Sequence, residues 1–123
     1  GTEDRRRAFR VPRILGLQGT LHLRDRAWPV PVRNLSVTGA LVDLPVAVVD
    51  VLPHDATYTL ALDTGEGACR TPARIARRAR NGVAVHFPGS LRLGDVRPKP
   101  DLARVVRVLE LRWLRRRAGR EVA

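Results

Sequence analysis

Residues 68–87, ACRTPARIARRARNGVAVHF, carry the strongest signal for the fold. The Asn81-Gly82 pair is typical of a tight turn between two antiparallel strands. Before the turn, residues 68–79 predict one strand with a bend at Pro72, and after it VAVHF (83–87) predicts a second strand. The stretch therefore predicts a β-hairpin.

The same alternation of apolar and polar residues recurs upstream. In residues 28–33, WPVPVR, the side chains of Trp28, Val30 and Val32 share one face, and the two prolines place this strand at an edge or near a bulge. About six short strands joined by turns are typical of an all-β barrel or sandwich. The remaining strands are predicted over residues 14–24, 40–44 and 57–62. Residues 45–55 are ambiguous: their two prolines favour a crossing loop, with or without a brief strand.

The end of the chain changes character after Pro98 and Pro100. Asp101 can cap a helix, and apolar residues then recur at helical spacing, which predicts a helix over residues 101–117 packed on the β structure. Three further apolar residues widen its apolar face beyond one stripe, so the helix has surface left for a partner protein. The predicted stripe is Leu102, Val105, Val106, Leu109 and Trp113, and the additional residues are Val108, Leu111 and Leu114.

Length and composition set further bounds. A chain of 123 residues with 44% hydrophobic residues predicts one domain, residues 1–123, with one modest core. Cys69 is the only cysteine, so no internal disulfide can form, and no apolar run approaches the ~20 residues of a membrane span. The net charge is +11, and 22 of the 23 basic residues are arginine, whose planar guanidinium offers forked donors and stacks on flat rings.

Enzymatic and metal chemistry are disfavoured by the motifs. The three histidines, His22, His54 and His86, lack metal-ligand spacing, and no nucleophile elbow surrounds Ser36. There is no phosphate-binding glycine loop and no carboxylate pair, so we expect neither an enzyme nor a bound cofactor or metal. General nucleic-acid binding stays open as the alternative for so basic a chain, although aromatic residues are only 4% of it.

Two short motifs suggest a specific ligand. Residues 5–13, RRRAFRVPR, hold five arginines in nine positions, and residues 34–39 read NLSVTG. Together they resemble the PilZ domain family, whose signature is RxxxR followed by [D/N]xSxxG. Arg6 and Arg10 match the first motif, with Arg5 as the doubled arginine often seen there. Asn34, Ser36 and Gly39 match the second motif, [D/N]xSxxG. Residues 81–87, NGVAVHF, look like the late strand of the family.

The resemblance implies a bacterial cytosolic receptor for cyclic di-GMP. PilZ domains are six-stranded antiparallel β-barrels with a flexible arginine-rich loop that wraps the ligand and a C-terminal helix. Here these parts correspond to residues 1–13, 14–88 and 101–117. Ordering of the loop is the expected switch, passed to a neighbouring domain or a partner protein. The expected ligand-binding residues are Arg5, Arg6, Arg10, Asn34, Ser36 and Gly39, with Arg7, Arg13, Arg74 and Arg78 as additional candidates.

The chemistry of these residues suits that ligand. Cyclic di-GMP has two flat guanines and two negative phosphodiesters, and an arginine fork can donate to guanine N7 and O6 together or pair with a phosphate. Asn34 and Ser36 lie two apart in an extended segment, so their side chains are expected to share a face, and Gly39 is expected to allow a positive φ. The competing hypothesis is an interaction module that binds no nucleotide and works through the C-terminal helix, including as a homodimer.

Overall fold

Strands dominate the computed structural model, which describes residues 11–12, 17–88 and 100–122. Side chains are described for residues 17–88 and 101–119. The strands in chain order are β1 Val11–Pro12, β2 Gln18–Leu23, β3 Arg26–Leu35, β4 Gly39–Asp43, β5 Tyr58–Asp63, β6 Ala68–Ala79 and β7 Gly82–His86. The helices are α1 Val46–Val49, between β4 and β5, and α2 Pro100–Val122.

The strands β2 to β7 close into an antiparallel barrel. Their order is β3-β2-β5-β6-β7-β4, and pairing of β3 with β4 completes the ring. This confirms the predicted six-stranded barrel. The two-residue strand β1 is an addition, because residues 11–12 were expected within a loop; it pairs with the end of β3.

Strand β3 changes partner halfway along its length. Its first half pairs with β2, and a register shift between Val32 and Asn34 accompanies its pairing with β4. Pro29 and Pro31 lie in the first half, where no other strand of the described chain pairs on the opposite side. Proline lacks the N–H that a second neighbour would need, so the predicted position beside an edge and a bulge is confirmed.

The barrel interior is filled by the inward-facing residues of each strand. Tyr58, Leu60 and Leu62 are fully buried along β5, as their alternation predicts. Val30 and Val32 are buried on β3, and Trp28 packs against the core from a partly exposed position. The lone cysteine is a buried core residue, and the full set of inward residues forms one cluster with the first half of α2.

Helix α2 covers the barrel beside β6 and β1. The predicted apolar stripe is confirmed: Leu102, Val105, Val106 and Leu109 are buried. The helix begins at Pro100, where a missing N–H costs nothing, so Asp101 lies in the first turn rather than at the cap. It also continues to Val122, beyond the predicted end at residue 117.

Two details of the 68–87 hairpin differ from expectation. The turn is formed by Arg80 and Asn81, because Ala79 pairs with Gly82 and Gly82 is already a strand residue. A Cβ at Gly82 would lie 1.9 Å from the carbonyl oxygen of Val42, so glycine is required there by the neighbouring strand. The irregularity in β6 lies between residues 75 and 77, where β6 pairs with β7, and not at Pro72.

The segment between β4 and β5 begins with the single helical turn α1, where a crossing loop was predicted. The Tyr58 hydroxyl donates a hydrogen bond of 2.6 Å to the carbonyl oxygen of Pro53 and so ties the end of this segment to the barrel. Because the Tyr58 side chain is buried, its pKa is raised above the usual value for tyrosine.

Candidate functional site

Strand β1 lies beside the polar motif. Val11 pairs with Leu35 and Pro12 pairs with Asn34, the first residue of NLSVTG. In the sequence, Val11 directly follows Arg10, the last residue of the RxxxR motif. The strand that follows the arginine motif is therefore paired with the strand that leads into the polar motif. The predicted ligand residues Arg5, Arg6, Arg7, Arg10 and Arg13, with most of the expected loop, lie outside the described residues.

The turn between β3 and β4 is held by Ser36. Its backbone N–H donates to the Gly39 carbonyl at 2.9 Å, and its hydroxyl lies 2.9 Å from the Thr38 hydroxyl. The Thr38 N–H also donates to the Ser36 hydroxyl at 3.2 Å. Ser36 is 1% exposed, so its hydroxyl is turned into the turn rather than toward solvent. The geometry supports a role in shaping the turn.

Gly39 is needed for a different reason from the one its sequence suggests. Among the glycines of the described chain only Gly65 has a positive φ, so the expected positive φ at Gly39 is wrong. A Cβ at Gly39 would instead lie 2.3 Å from the Val85 carbonyl oxygen on β7. Close packing of β4 on β7 excludes a side chain there.

Strand register places a row of residues across the outer wall of the barrel, beginning at Asn34. Asn34 pairs with Leu41, Leu41 with Ala84, and Ala84 with Arg77. We call these four residues the shelf. Asn34, Leu41 and Ala84 are partly exposed and Arg77 is exposed. The row continues through Asn34 to Pro12 of β1.

Of the two arginines predicted on β6, only Arg74 lies near the second motif. Arg74 pairs with His86, and His86 pairs with Gly39. Both side chains are exposed, and one nitrogen of the Arg74 guanidinium donates to the Thr57 hydroxyl at 3.3 Å. The structure thus brings Arg74 and Gly39 into one row, which is separated from the shelf by the row of Ala40 and Val85.

Arg78 is directed elsewhere. Its Nε donates to His54 Nε2 at 3.0 Å, and its guanidinium lies 3.5 Å from the Asp50 carboxylate. These contacts connect β6 to the segment after α1. Arg77, which sequence reasoning missed, takes the position beside Ala84 because of the register irregularity after Ile75. No sequence pattern available from one chain locates such an irregularity.

The outer wall around the shelf is positively charged. Arg74 and Arg77 are exposed on β6, whereas the carboxylate of Asp43 on β4 is paired with Arg33. Within residues 17–88 and 101–119, no group of three or more His, Cys, Asp or Glu residues is placed to hold a metal ion. No helix in the described part of the chain has the length and apolar character to cross a membrane.

Comparisons with known proteins agree with this architecture. The model of the PilZ domain family matches residues 4–98. The PilZ domain of YcgR from Escherichia coli, solved with c-di-GMP, is similar in structure with a TM-score of 0.64 and 18% identity, covering 94% of this chain and 98% of that one. The Legionella uncharacterized protein Lpg0364 is similar with a TM-score of 0.56 and 16% identity, covering 89% and 98%. No curated protein matches the chain.

Proposed function

Because the chain belongs to the PilZ domain family, we propose that it is a receptor for cyclic di-GMP that acts in the bacterial cytosol. PilZ domains are nucleotide-binding receptors, so the proposed activity is reversible binding without catalysis. The similar YcgR domain was solved with this nucleotide. The residues of this chain supply the more specific support.

The pairing of β1 with β3 is the observation that carries the proposal. It supports the proposal because Val11 and Pro12, which follow the arginine motif in the sequence, pair with Leu35 and Asn34 at one side of an exposed, positively charged wall. Arg6 lies five residues before Val11, and an extended chain spans at most ~3.6 Å per residue, so Arg6 is within ~18 Å of β1. Both arginines of the RxxxR motif are therefore within reach of the Asn34 turn.

Each group in this arrangement has a matching group on the ligand. The Asn34 side-chain carbonyl can accept hydrogen bonds from the Watson–Crick edge of guanine. Guanidinium groups from the arginine segment can donate to guanine N7 and O6 or to phosphate oxygens. Ser36 and Gly39 contribute by holding the turn and by allowing β4 to pack closely on β7. Arg5, Arg6 and Arg10 are the proposed principal contacts, and Arg7, Arg13 and Arg74 are additional ones.

Binding is proposed to order the arginine segment and to transmit that change through β1. Clustered arginines repel one another, and a doubly charged ligand removes that repulsion. Helix α2 packs against β1 as well as β6, so it lies next to the strand that leads into the arginine segment. The C-terminal helix is therefore the proposed route from ligand to a partner protein or neighbouring domain.

Isothermal titration with cyclic di-GMP tests the proposal. We expect saturable binding, with no comparable heat from GMP or GTP. Arg10→Ala should weaken binding roughly 5- to 150-fold, because a good bidentate arginine contact is worth ~1–3 kcal/mol. Arg70→Ala is the matched control, since Arg70 is exposed on β6 but pairs with β5, away from the shelf. Wild-type protein that gives no heat at high micromolar nucleotide rejects the function.

A second candidate function is protein interaction through α2 without nucleotide. Leu111 and Leu114 favour it, because they are 36% and 49% exposed on a helix whose other face is buried. Arg104, Arg107 and Arg115 are exposed around them, so a partner with acidic groups around an apolar centre is the proposed occupant. A thermal unfolding scan separates the two functions: stabilisation by cyclic di-GMP, and not by GMP, favours the receptor.

A further inference from the structure

Four large apolar side chains are exposed within residues 17–88 and 101–119, and they form two pairs. Val46 and Val51, 56% and 66% exposed, lie on the segment that begins with α1, and Leu111 and Leu114 lie on α2. We propose that these pairs meet between copies of the chain, so that α2 of one molecule binds the α1 segment of the next. The inference rests on the second candidate function, interaction through α2, and names the partner as a second copy of this chain.

The α1 segment has an apolar centre and an acidic rim. The Asp50 N–H donates to the Val46 carbonyl at 3.0 Å, so Asp50 lies one turn from Val46. The Asp50 carboxylate is 3.5 Å from the Arg78 guanidinium, yet its side chain is 61% exposed. Asp55 is also exposed, four residues after Val51. The surface that we call the α1 face consists of Val46, Asp50, Val51 and Asp55.

The outer side of α2 has the opposite charge. Residues three, four and seven apart lie on one side of a helix, and Arg104, Leu114 and Arg115 stand at these distances from Leu111. All four are exposed, opposite the buried stripe of the helix. The surface that we call the α2 face consists of Arg104, Leu111, Leu114 and Arg115. Arg107 lies nearby but is 3.8 Å from the Glu110 carboxylate, so it adds less charge to the face.

The two faces lie at opposite ends of the barrel. Helix α2 is held at one end, where Arg112 donates to the Thr64 carbonyl just before β6 begins. The α1 segment is held at the other end by the contact of Asp50 with Arg78, which lies ten residues after the start of β6. A strand rises ~3.3 Å per residue, so about 30 Å of β6 separates these two contacts. The faces therefore cannot cover each other within one molecule, but they can meet between two molecules.

The charges favour contact between unlike faces. Two α2 faces would bring Arg104 and Arg115 of both molecules together, and two α1 faces would do the same with Asp50 and Asp55, which is unfavourable. Contact between unlike faces sets the aspartates against the arginines around two valines and two leucines, whose removal from water is favourable. Because the faces differ, the contact is head-to-tail and leaves a free face at each end, so it leads to a ring or a filament.

Sedimentation velocity without nucleotide, up to high micromolar protein, tests the inference. One variant, Leu111→Gln/Leu114→Gln, removes the apolar centre of the α2 face, and the other, Val46→Ser/Val51→Ser, removes that of the α1 face. All four positions are exposed, and thermal unfolding confirms that each variant is folded. Arg115→Gln and Arg116→Gln form a matched pair that removes the same charge from α2, since both arginines are exposed but Arg116 lies outside the α2 face.

We expect the apparent mass of the wild-type protein to rise with concentration beyond that of a dimer. Each double variant should associate at least roughly tenfold more weakly, because two apolar side chains are lost from the contact. An equimolar mixture of the double variants should form pairs that stop at two chains, because each variant keeps one intact face and the two intact faces differ. Arg115→Gln should weaken association more than Arg116→Gln.

Other results overturn the inference in distinguishable ways. Dimers of the valine variant alone would show that α2 faces bind each other, and dimers of the leucine variant alone would show the same for α1 faces. A mixture that forms no pairs, or equal weakening by Arg115→Gln and Arg116→Gln, would also contradict it. Wild-type protein that stays monomeric rejects self-association, whereas binding of a different acidic partner by α2, and of cyclic di-GMP, is measured separately and does not depend on it.

Discussion

Gly39→Ala separates two explanations for a motif glycine. If the glycine served only to keep the turn flexible, alanine would leave stability unchanged or raise it by about 0.4–1 kcal/mol, since the backbone φ is not positive. The structure predicts the opposite sign. The new Cβ would lie 2.3 Å from the Val85 carbonyl oxygen, whereas ordinary contacts begin at 3.4 Å.

The size of the effect follows from that shortfall of about 1.1 Å. The obstructing atom belongs to the backbone of β7, so a side-chain rotation cannot relieve the clash, and β4 and β7 must move apart. The adjacent hydrogen bond from the Phe87 N–H to the Thr38 carbonyl, at 2.9 Å, would then exceed bonding distance. Overpacking costs roughly 1–3 kcal/mol and a lost hydrogen bond ~1 kcal/mol, so we expect a loss of about 2–4 kcal/mol in the free energy of unfolding.

Urea denaturation without ligand measures this loss, and the chain supplies its own control. Gly119 lies in α2 with open space around the position that a Cβ would take, so Gly119→Ala should raise stability by ~1 kcal/mol through helix propensity alone. Opposite signs for the two substitutions support the packing argument. A Gly39→Ala protein with wild-type stability would show that β7 accommodates a Cβ and would return Gly39 to a direct role at the ligand.

Two further predictions concern the contacts that hold the barrel together. Because Tyr58 is the only tyrosine and burial raises its pKa, tyrosinate absorbance should appear at higher pH in the folded protein than in urea. The stability due to this shift is complete below the unfolded pKa of ~10 and is lost as pH rises through the pKa of the folded state. Tyr58→Phe should abolish that loss of stability at alkaline pH. Arg112 donates to the Thr64 carbonyl at 2.8 Å and to the Glu66 carboxylate at 2.7 Å. Arg112→Ala should therefore lower the free energy of unfolding by about 1–2 kcal/mol in urea titrations, whereas Arg116→Ala, at an exposed position of the same helix, should not. Equal effects of the two substitutions would show that Arg112 does not hold α2 to the barrel.

Local pattern was sufficient for most of the fold. Alternation along residues 57–62 and the apolar stripe from Leu102 to Leu109 predict the buried faces of β5 and α2. Buried residues recur every second position along a strand and every three to four positions along a helix, so each element shows its buried face in its own sequence. What pattern could not supply was the partner of each strand. The position of Arg77 depends on an irregularity in β6 pairing, and the reason for Gly39 depends on a carbonyl from a strand more than forty residues later.

The candidate site divides in the same way. The polar motif can be identified in a single sequence because it places specific polar residue types at fixed spacing. Its residues nevertheless lie in different surroundings: the Ser36 hydroxyl is turned into its own turn, whereas Asn34 lies in the outward-facing row. The sequence predicts both as ligand contacts because a spacing of two residues suggests a common face. The bulge at residue 33 and the turn after Leu35 remove that equivalence.

The shortness of β1 has a consequence for signalling. A two-residue pairing contributes few backbone hydrogen bonds, each worth ~1 kcal/mol net, so β1 can detach at low cost while the six-stranded barrel remains closed. In the proposed receptor, a ligand bound by the arginine segment and Asn34 would add its binding energy across that weak junction and not within the barrel. Because α2 packs against β1, the strand that would gain most from the ligand is also the one in contact with the helix. The proposed output through α2 therefore requires no rearrangement of the core, only a change in how firmly β1 is held.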